Sequence, residues 1–356
     1  MKIITAFDSF KGCITATEAC NAAASGLRSR FPEADILCLP MSDGGEGMTE
    51  CICLAVNATM VSVTVHDPLM RLIEARYAIS PDGTTAIMEM AAASGLTLVP
   101  EPLRNPMLTT TAGVGEMLLD AAHRGCTHVI MGIGGSATCD GGWGMVDFLK
   151  PHLPLPLTIT VASDVSNPLF GTDGAAHVFA PQKGATPAQV ELLDQRLRDF
   201  AQLTENQGFA TPQLAQHPGA GAAGGLGYAL MAYLGAELRS GIDLVLDTIS
   251  FDALASDADM ILTGEGRSDH QTLMGKVPMG ILQRANSIPV HLLSGSILDA
   301  TALLNAGFAS VTSINEGDLR PLSVLMQSDV AIHNLAKASK EIHDPANNFL
   351  EPTTKQ

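Results

Sequence analysis

Residues Thr263 to Pro278 read TGEGRSDHQTLMGKVP and bring Glu265, Arg267, Asp269 and Lys276 together with Gly264, Gly266 and Gly275. Charges of both signs in so short a span suit an anion held together with a divalent cation. Glycines let the backbone come close to such a ligand or take positive φ. The apolar run Met260-Ile261-Leu262 precedes this stretch and Met279-Gly280-Ile281-Leu282 follows it. That order predicts a buried strand, a polar loop and a helix. Open α/β sheets bind ligands at the carboxyl ends of their strands, so the loop is expected to line a site rather than to be a solvated turn.

Other loops follow the same grammar. Lys2 to Phe7 predicts a buried first strand, and Thr15-x-x-Glu18 a capping box opening an Ala-rich helix to about Arg30. Lys11, in the loop between, is placed to meet a phosphate or carboxylate. Asp8 and Ser9 can be read as turn residues, and Ser9 is also kept as a candidate substrate or phosphate contact. A second strand, Asp35 to Pro40, runs into Met41-Ser42-Asp43-Gly44-Gly45-Glu46-Gly47 and a helix over about Met48 to Val56. This βαβα order starts a parallel sheet, so Lys11 and Asp43 leave the same sheet edge. Two acids flanking two glycines suit a metal ion or a general base, although Ser42 or Asp43 could instead cap the helix.

Farther along, His128 to Ile133 predicts a strand feeding the densest glycine loop of the chain, Gly134 to Gly144. Successive N–H groups at Gly134, Gly135 and Ser136 could cradle a phosphate. Thr109-Thr110-Thr111 could hold an anion at a helix start or simply cap it. Asp164, at the end of a strand over 158–162, is either a metal or base candidate or an Asx-turn before Pro168. Gly219, Gly221 and Gly224 satisfy G-x-G-x-x-G, but no strand precedes them, so the dinucleotide fingerprint fails its context. Lys276 is followed by Val277 and lacks the upstream glycine of a G-x-x-x-x-G-K-[ST] loop, which excludes P-loop chemistry.

These loops need a scaffold in two parts. Thr59–Val65 and Ile73–Ile79 alternate like antiparallel strands around the turn His66-Asp67-Pro68-Leu69. A β-ribbon inserted after a βαβα start indicates an α/β fold of two domains. One is a discontinuous Rossmann-like parallel-sheet domain, 1–66 plus 236–356. The other is an inserted α/β domain with antiparallel strands, 67–235. Leu244-Val245-Leu246 and Ala258–Thr263 are expected to return the chain to strand–helix alternation, and the tail from Asp344 reads as loosely ordered.

Taken together, these segments resemble the bacterial glycerate kinase family. Thr263–Pro278 is similar to the signature TGEGRxDxQTxxGKxPxG, and Asp8–Lys11 to the opening PDSFKGS, with Phe7 for Pro and Cys13 for Ser. Ser42–Met48 resembles ADGGEGT, Glu89–Leu96 EMAAASGL, and Gly132–Gly142 GIGGSATNDGG. Val161–Leu169 resembles VACDVxNPL and Pro218–Gly227 PGAGAAGGLG. The likeness covers most of the chain. Departures are Cys139 where Asn is usual, His66-Asp67 where a glycine is expected, and a short connector over 150–156.

The resemblance implies ATP-dependent phosphorylation of D-glycerate in organic acid and glycerate–glyoxylate catabolism. It favours 2-phosphoglycerate as product, with 3-phosphoglycerate as the other choice, and ATP and Mg²⁺ as cofactors. The site would lie in a cleft between the domains. Lys11, Asp43 and Asp269 would be catalytic. Ser9, Gly134, Gly135, Ser136, Arg267 and Lys276 would contact substrate or phosphate, and Asp164 and Glu265 would hold the metal.

Composition narrows the partners. A formal net charge of −17 over 356 residues argues against nucleic acid and anionic membrane surfaces. D-glycerate and ATP are the expected ligands, and the protein is read as a monomer or homodimer. Seven cysteines without ligand-like spacing read as reduced core residues of a cytoplasmic protein. No apolar run is long enough to cross a bilayer. Two rival classes remain: an NAD(P)-dependent oxidoreductase, suggested by Gly219–Gly224, and a non-catalytic anion-binding relative of a kinase, suggested by Cys139, His66 and the short connector.

Overall fold

The structure, a computed structural model, describes residues 1–342; the tail expected from Asp344 lies outside them. The chain divides into two compact units, Met1–Asp43 with Val245 onward, and Gly44–Leu244. Strands are numbered along the chain.

In the first unit, β1 (Lys2–Phe7), β2 (Asp35–Cys38), β9 (Met260–Gly264), β11 (Val290–Ser294) and β13 (Ser310–Ser313) form one sheet in the order β13-β11-β9-β1-β2. Every pairing in it is parallel. Strands of such a sheet bury both faces and read as apolar runs; Ile3, Ile4, Ala6 and Phe7 of β1 and Met260, Ile261 and Leu262 of β9 are all buried. The chain leaves β1 to form β2 on one side and later returns as β9 on the other. The order therefore reverses between β1 and β9, at the topological switch point where open sheets bind ligands.

The expected capping box forms: the Glu18 amide donates to Thr15 Oγ1 at 3.1 Å, and the Thr15 amide to Glu18 Oε2 at 2.8 Å. The helix it opens, Ala16–Arg30, packs on the helix Ser328–Lys340. Contact is so close at Gly26 that a Cβ there would stand 2.0 Å from the Ala336 carbonyl oxygen. Because a backbone atom cannot move aside cheaply, Gly26→Val is expected to cost about 3 kcal/mol, read as a lowered midpoint in a thermal melt followed by ellipticity.

The second unit carries β3 (Thr59–His66), β4 (Leu72–Ile79), β5 (Thr85–Glu89), β6 (His128–Gly132), β7 (Thr158–Ala162) and β8 (Glu237–Arg239), which lie side by side in chain order. The β3–β4 and β4–β5 pairings are antiparallel and the rest parallel. Tyr77, Met88, Val129, Val161, Leu197 and Tyr228 are among its core residues. The unusual His66-Asp67 pair makes a built turn. Asp67, fully buried, accepts from the Leu69 amide, the Arg71 amide and Arg71 Nε at 2.8, 2.9 and 2.6 Å, and His66 Nδ1 lies 2.7 Å from Glu116.

The units divide at 43/44 and 244/245, whereas boundaries at 66/67 and 235/236 are expected from pattern. The helix Met48–Val56 accounts for the earlier division. Its first turn is tied to β5, because Glu89 accepts from the Gly47 and Thr49 amides at 3.2 and 2.8 Å. Leu244-Val245-Leu246 lies in the helix Gly241–Thr248 rather than in a strand. All three side chains are buried, and a short apolar run looks alike in either element.

Candidate active site

Beyond β9 the loop does not leave the sheet freely. A Cβ on Gly264 would stand 1.7 Å from the Leu293 carbonyl oxygen, so only glycine allows β9 and β11 to run this close at their ends. Just past that contact β10 (Arg267–Ser268) pairs in parallel with β12 (Ser296–Ile297). The Gly295 amide donates to Glu265 O at 3.2 Å and the Ser296 amide to Gly266 O at 3.1 Å. The loops after β9 and β11 are thereby knitted into one ledge.

Glu265 organises that ledge. Its buried carboxylate accepts from Thr272 Oγ1 at 2.6 Å, Ser268 Oγ at 3.2 Å and Lys276 Nζ at 3.3 Å. Asp269 pairs with Arg267, 3.0 Å from Nε, and its other oxygen accepts from the Gln271 amide at 2.8 Å. The Gln271 amide, followed by Arg267, holds the Asp269 carboxyl below the usual range.

A cavity of about 350 Å³ opens at the carboxyl ends of β1 and β9. Asp8, Ser9, Lys11, Asp43, Glu265, Arg267 and Lys276 line its charged side, and Leu322, Leu325 and Met326 an apolar side. Six expected site residues thus meet in one place: Ser9, Lys11, Asp43, Glu265, Arg267 and Lys276. Asp269 does not line the cavity; it reaches the site through Arg267.

The residue that pattern underrates is Asp8. It is only 5% exposed, and its amide donates to Gly264 O at 3.0 Å. Burial and then the Asp43 charge push its carboxyl up to about 7, with Glu265 adding to the rise, while the Ser9 amide and Lys11 pull it down by less. A carboxylate of that basicity can accept a proton at neutral pH, while the cations beside it can hold an anionic ligand nearby. The available signals were its position, the first residue after the strand Lys2–Phe7, and its place in the family-like opening Asp8–Lys11.

The remaining expected residues lie in the second unit. Gly134 and Gly135 are exposed. Ser136 Oγ accepts from Lys183 Nζ at 2.6 Å. Asp140 is the brace of this loop, accepting from the amides of Thr111, Gly142 and Gly144 at 2.9, 3.1 and 3.1 Å and from Thr111 Oγ1 at 2.8 Å. Thr109 Oγ1 donates to Ala137 O at 3.0 Å and Thr110 Oγ1 accepts from the Ala112 amide at 3.2 Å, so the threonine cluster at 109–111 is engaged in internal bonds. Cys139, in place of the usual Asn, is buried, and that burial pushes its thiol up to about 11. Asp164 is exposed, and its Oδ1 accepts from the Gly241 amide at 3.1 Å. A short 3-10 helix, Pro212–Gln216, rather than a strand precedes Gly219–Gly224, and the Gly141 amide donates to Gly224 O at 3.0 Å. That glycine run therefore packs against the Gly134–Gly144 loop and lacks the setting of a dinucleotide site. A second cavity, also about 350 Å³, lies between Trp143, Leu197 and Phe200, with Trp143 edge-on to Phe200 at 5.6 Å.

Among the described residues, no three or more His, Cys, Asp and Glu side chains are grouped so as to hold a metal ion. A phosphate-bound Mg²⁺ asks less, one or two carboxylates beside the phosphates and water. Asp43 and Glu265, whose charges both bear on Asp8, suit that smaller demand. None of the seven cysteines is in a disulfide, and no helix among the described residues is long and apolar enough to cross a membrane.

Residues 3–154 and 149–344 match the model of the glycerate kinase family. The chain is 42% identical over 349 residues to a glycerate kinase of Bacillus subtilis, covering 89% of this chain and 91% of that protein. It is 40% identical over 355 residues to the glycerate 2-kinase of Escherichia coli K12, covering 89% and 92%. A crystal structure of a candidate glycerate kinase 2 from Salmonella typhimurium LT2 superposes with a TM-score of 0.82 at 39% identity, over 96% of each chain.

Proposed function

This chain belongs to the glycerate kinase family, and we propose that it transfers the γ-phosphoryl group of ATP to a hydroxyl of D-glycerate in the cavity of its first unit. The observation that carries this reading is the buried, basic Asp8 facing Lys11, Arg267 and Lys276 at the switch point. Glycerate is a small anion, and the three cations offer its carboxylate a partner in a protein that is otherwise strongly acidic.

Lys11 or Arg267 pairs with that carboxylate. Asp43 orients the attacking hydroxyl. Asp8 takes the hydroxyl proton as the new O–P bond forms and the bond from the γ-phosphorus to the bridging oxygen breaks, which releases ADP. Lys276, held by Glu265, offsets charge on the transferred group; positioning and neutralisation of this kind do most of the work in phosphoryl transfer. Mg²⁺, when bound with ATP, supplies further neutralisation on the phosphate oxygens, and Asp43 and Glu265 are the acids of this unit that would hold it. Asp164 is the acid of the second unit kept for the same role. Asp269 acts at one remove, fixing the Arg267 guanidinium.

The favoured product is 2-phosphoglycerate, in line with the family likeness to a protein named for that position. The purified chain, incubated with D-glycerate, ATP and Mg²⁺, is expected to give a glycerate-dependent phosphate ester whose phosphorus resonance matches authentic 2-phosphoglycerate. The 3-ester would correct the regiochemistry, and ADP release without any ester, in a mixture where a control kinase works, would overturn the reading.

A further inference from the structure

Lys183 is a buried ammonium that the proposed chemistry leaves unused. It is 3% exposed and stands just before the helix Pro187–Asn206. Its Nζ donates to Ser136 Oγ at 2.6 Å and to the Thr138 carbonyl oxygen at 2.7 Å. Among the described residues no carboxylate lies within ion-pairing distance of it. Burial pushes its ammonium down to about 8, against the opposing pull of Cys139 and Asp140. Removing a lysine charge from water without a partner ion is costly, and a neutral side chain could brace the loop at lower cost.

The loop that Lys183 holds carries backbone amides free to take an anion. The amides of Gly134, Gly135 and Ser136 have no acceptor among the described residues, whereas the neighbouring Gly135 carbonyl and Ala137 amide are pinned by the Leu96 amide and the Ser94 carbonyl at 2.8 and 2.9 Å. Three successive open N–H groups on a pinned loop make a nest for an anionic oxygen. Since Ser136 Oγ accepts from Lys183, its own O–H proton must point elsewhere, and the ammonium behind it makes that hydroxyl a stronger donor.

We propose that Lys183 is the hidden charge of an anion site formed by Gly134, Gly135 and Ser136, and that the site takes the phosphate end of a nucleotide. Lys183 is a positioning residue here: it holds Ser136 and Thr138 and supplies positive potential without touching the ligand. The choice of nucleotide phosphate rests on the kinase reading given above.

The probe is ADP without metal, titrated calorimetrically into the full chain. Lys183→Met keeps most of the length of the side chain and removes the charge; it is expected to weaken ADP binding by about tenfold or more near pH 7. In the wild type, affinity should hold up to about pH 8 and fall above it as Lys183 loses its proton, while the phosphates of ADP are already ionised. The variant should show no such fall. Cys139 and Asp140 are the titratable groups facing Lys183. Cys139, pushed up to about 11, keeps its proton over this range. Equal affinity of variant and wild type near pH 7, a flat wild-type curve, or the same fall in both would overturn the proposal. If the variant does not fold, the wild-type curve decides alone. ADP binding with this pH dependence but no glycerate phosphorylation would leave the site standing and remove only the substrate. Kinase activity with ADP binding indifferent to Lys183 would do the reverse.

Discussion

Asp8→Asn is expected to lower kcat by about 10³-fold, the usual range for losing a general base, while making the protein more heat-stable at pH 8. The two effects have one cause. In the folded chain the Asp8 carboxyl is raised to about 7 from an ordinary value of 3.8. Between those values the native state holds a proton that the unfolded state has released, so stability falls as pH rises toward 7. At pH 8 the folded chain bears the full cost of an ionised, buried carboxylate, about 4 kcal/mol at 1.36 kcal/mol per pH unit. Asparagine never ionises and escapes that cost. Melting curves at pH 5 and pH 8 should therefore show the wild type losing more stability between the two than the variant does. Turnover near the wild-type level in Asp8→Asn would take the proton-accepting role away from this residue.

Lys11→Ala should reduce turnover by about 10²- to 10³-fold, the scale seen when one fixed charge or donor aimed at developing charge is removed. Unlike Asp8, Lys11 is exposed, and its pull on Asp8 ranks below burial, the Asp43 charge and the Ser9 amide, so its loss unsettles little. The melting midpoint should stay within a degree or so of the wild type, as for most exposed substitutions. The loss should appear in kcat/KM for glycerate if Lys11 pairs with the substrate carboxylate. A variant with unchanged kinetics would hand that task to Arg267.

Much of this arrangement could be read from local pattern. The alternating runs on either side of His66-Asp67 became β3 and β4, and Thr15 with Glu18 formed the box their spacing promised. The glycine loops at 264–275 and 134–144 stand where strand–loop–helix order put them. What pattern could not reach were properties made by neighbours distant in sequence. Asp8 looks like any turn aspartate until Asp43 and Glu265 arrive beside it. Lys183 looks like a solvated residue before a helix until the 136–138 loop closes over it. The division at 43/44 differs from the pattern-based one for the same reason, since only the folded sheet reveals that Glu89 holds the start of the helix Met48–Val56. Leu244-Val245-Leu246 was ambiguous for a simpler reason, a run too short to show a period.

The chain has a single tryptophan, and Trp143 stands in the second unit against Phe200. Indole emission therefore comes from one half of the chain and is silent about the other, whereas ellipticity sums over both. Followed together through a denaturant titration, the two signals make a built-in test of cooperativity. Coincident midpoints would be consistent with the two units coming apart in one step, and separated midpoints would show that the inserted unit keeps its own melting behaviour.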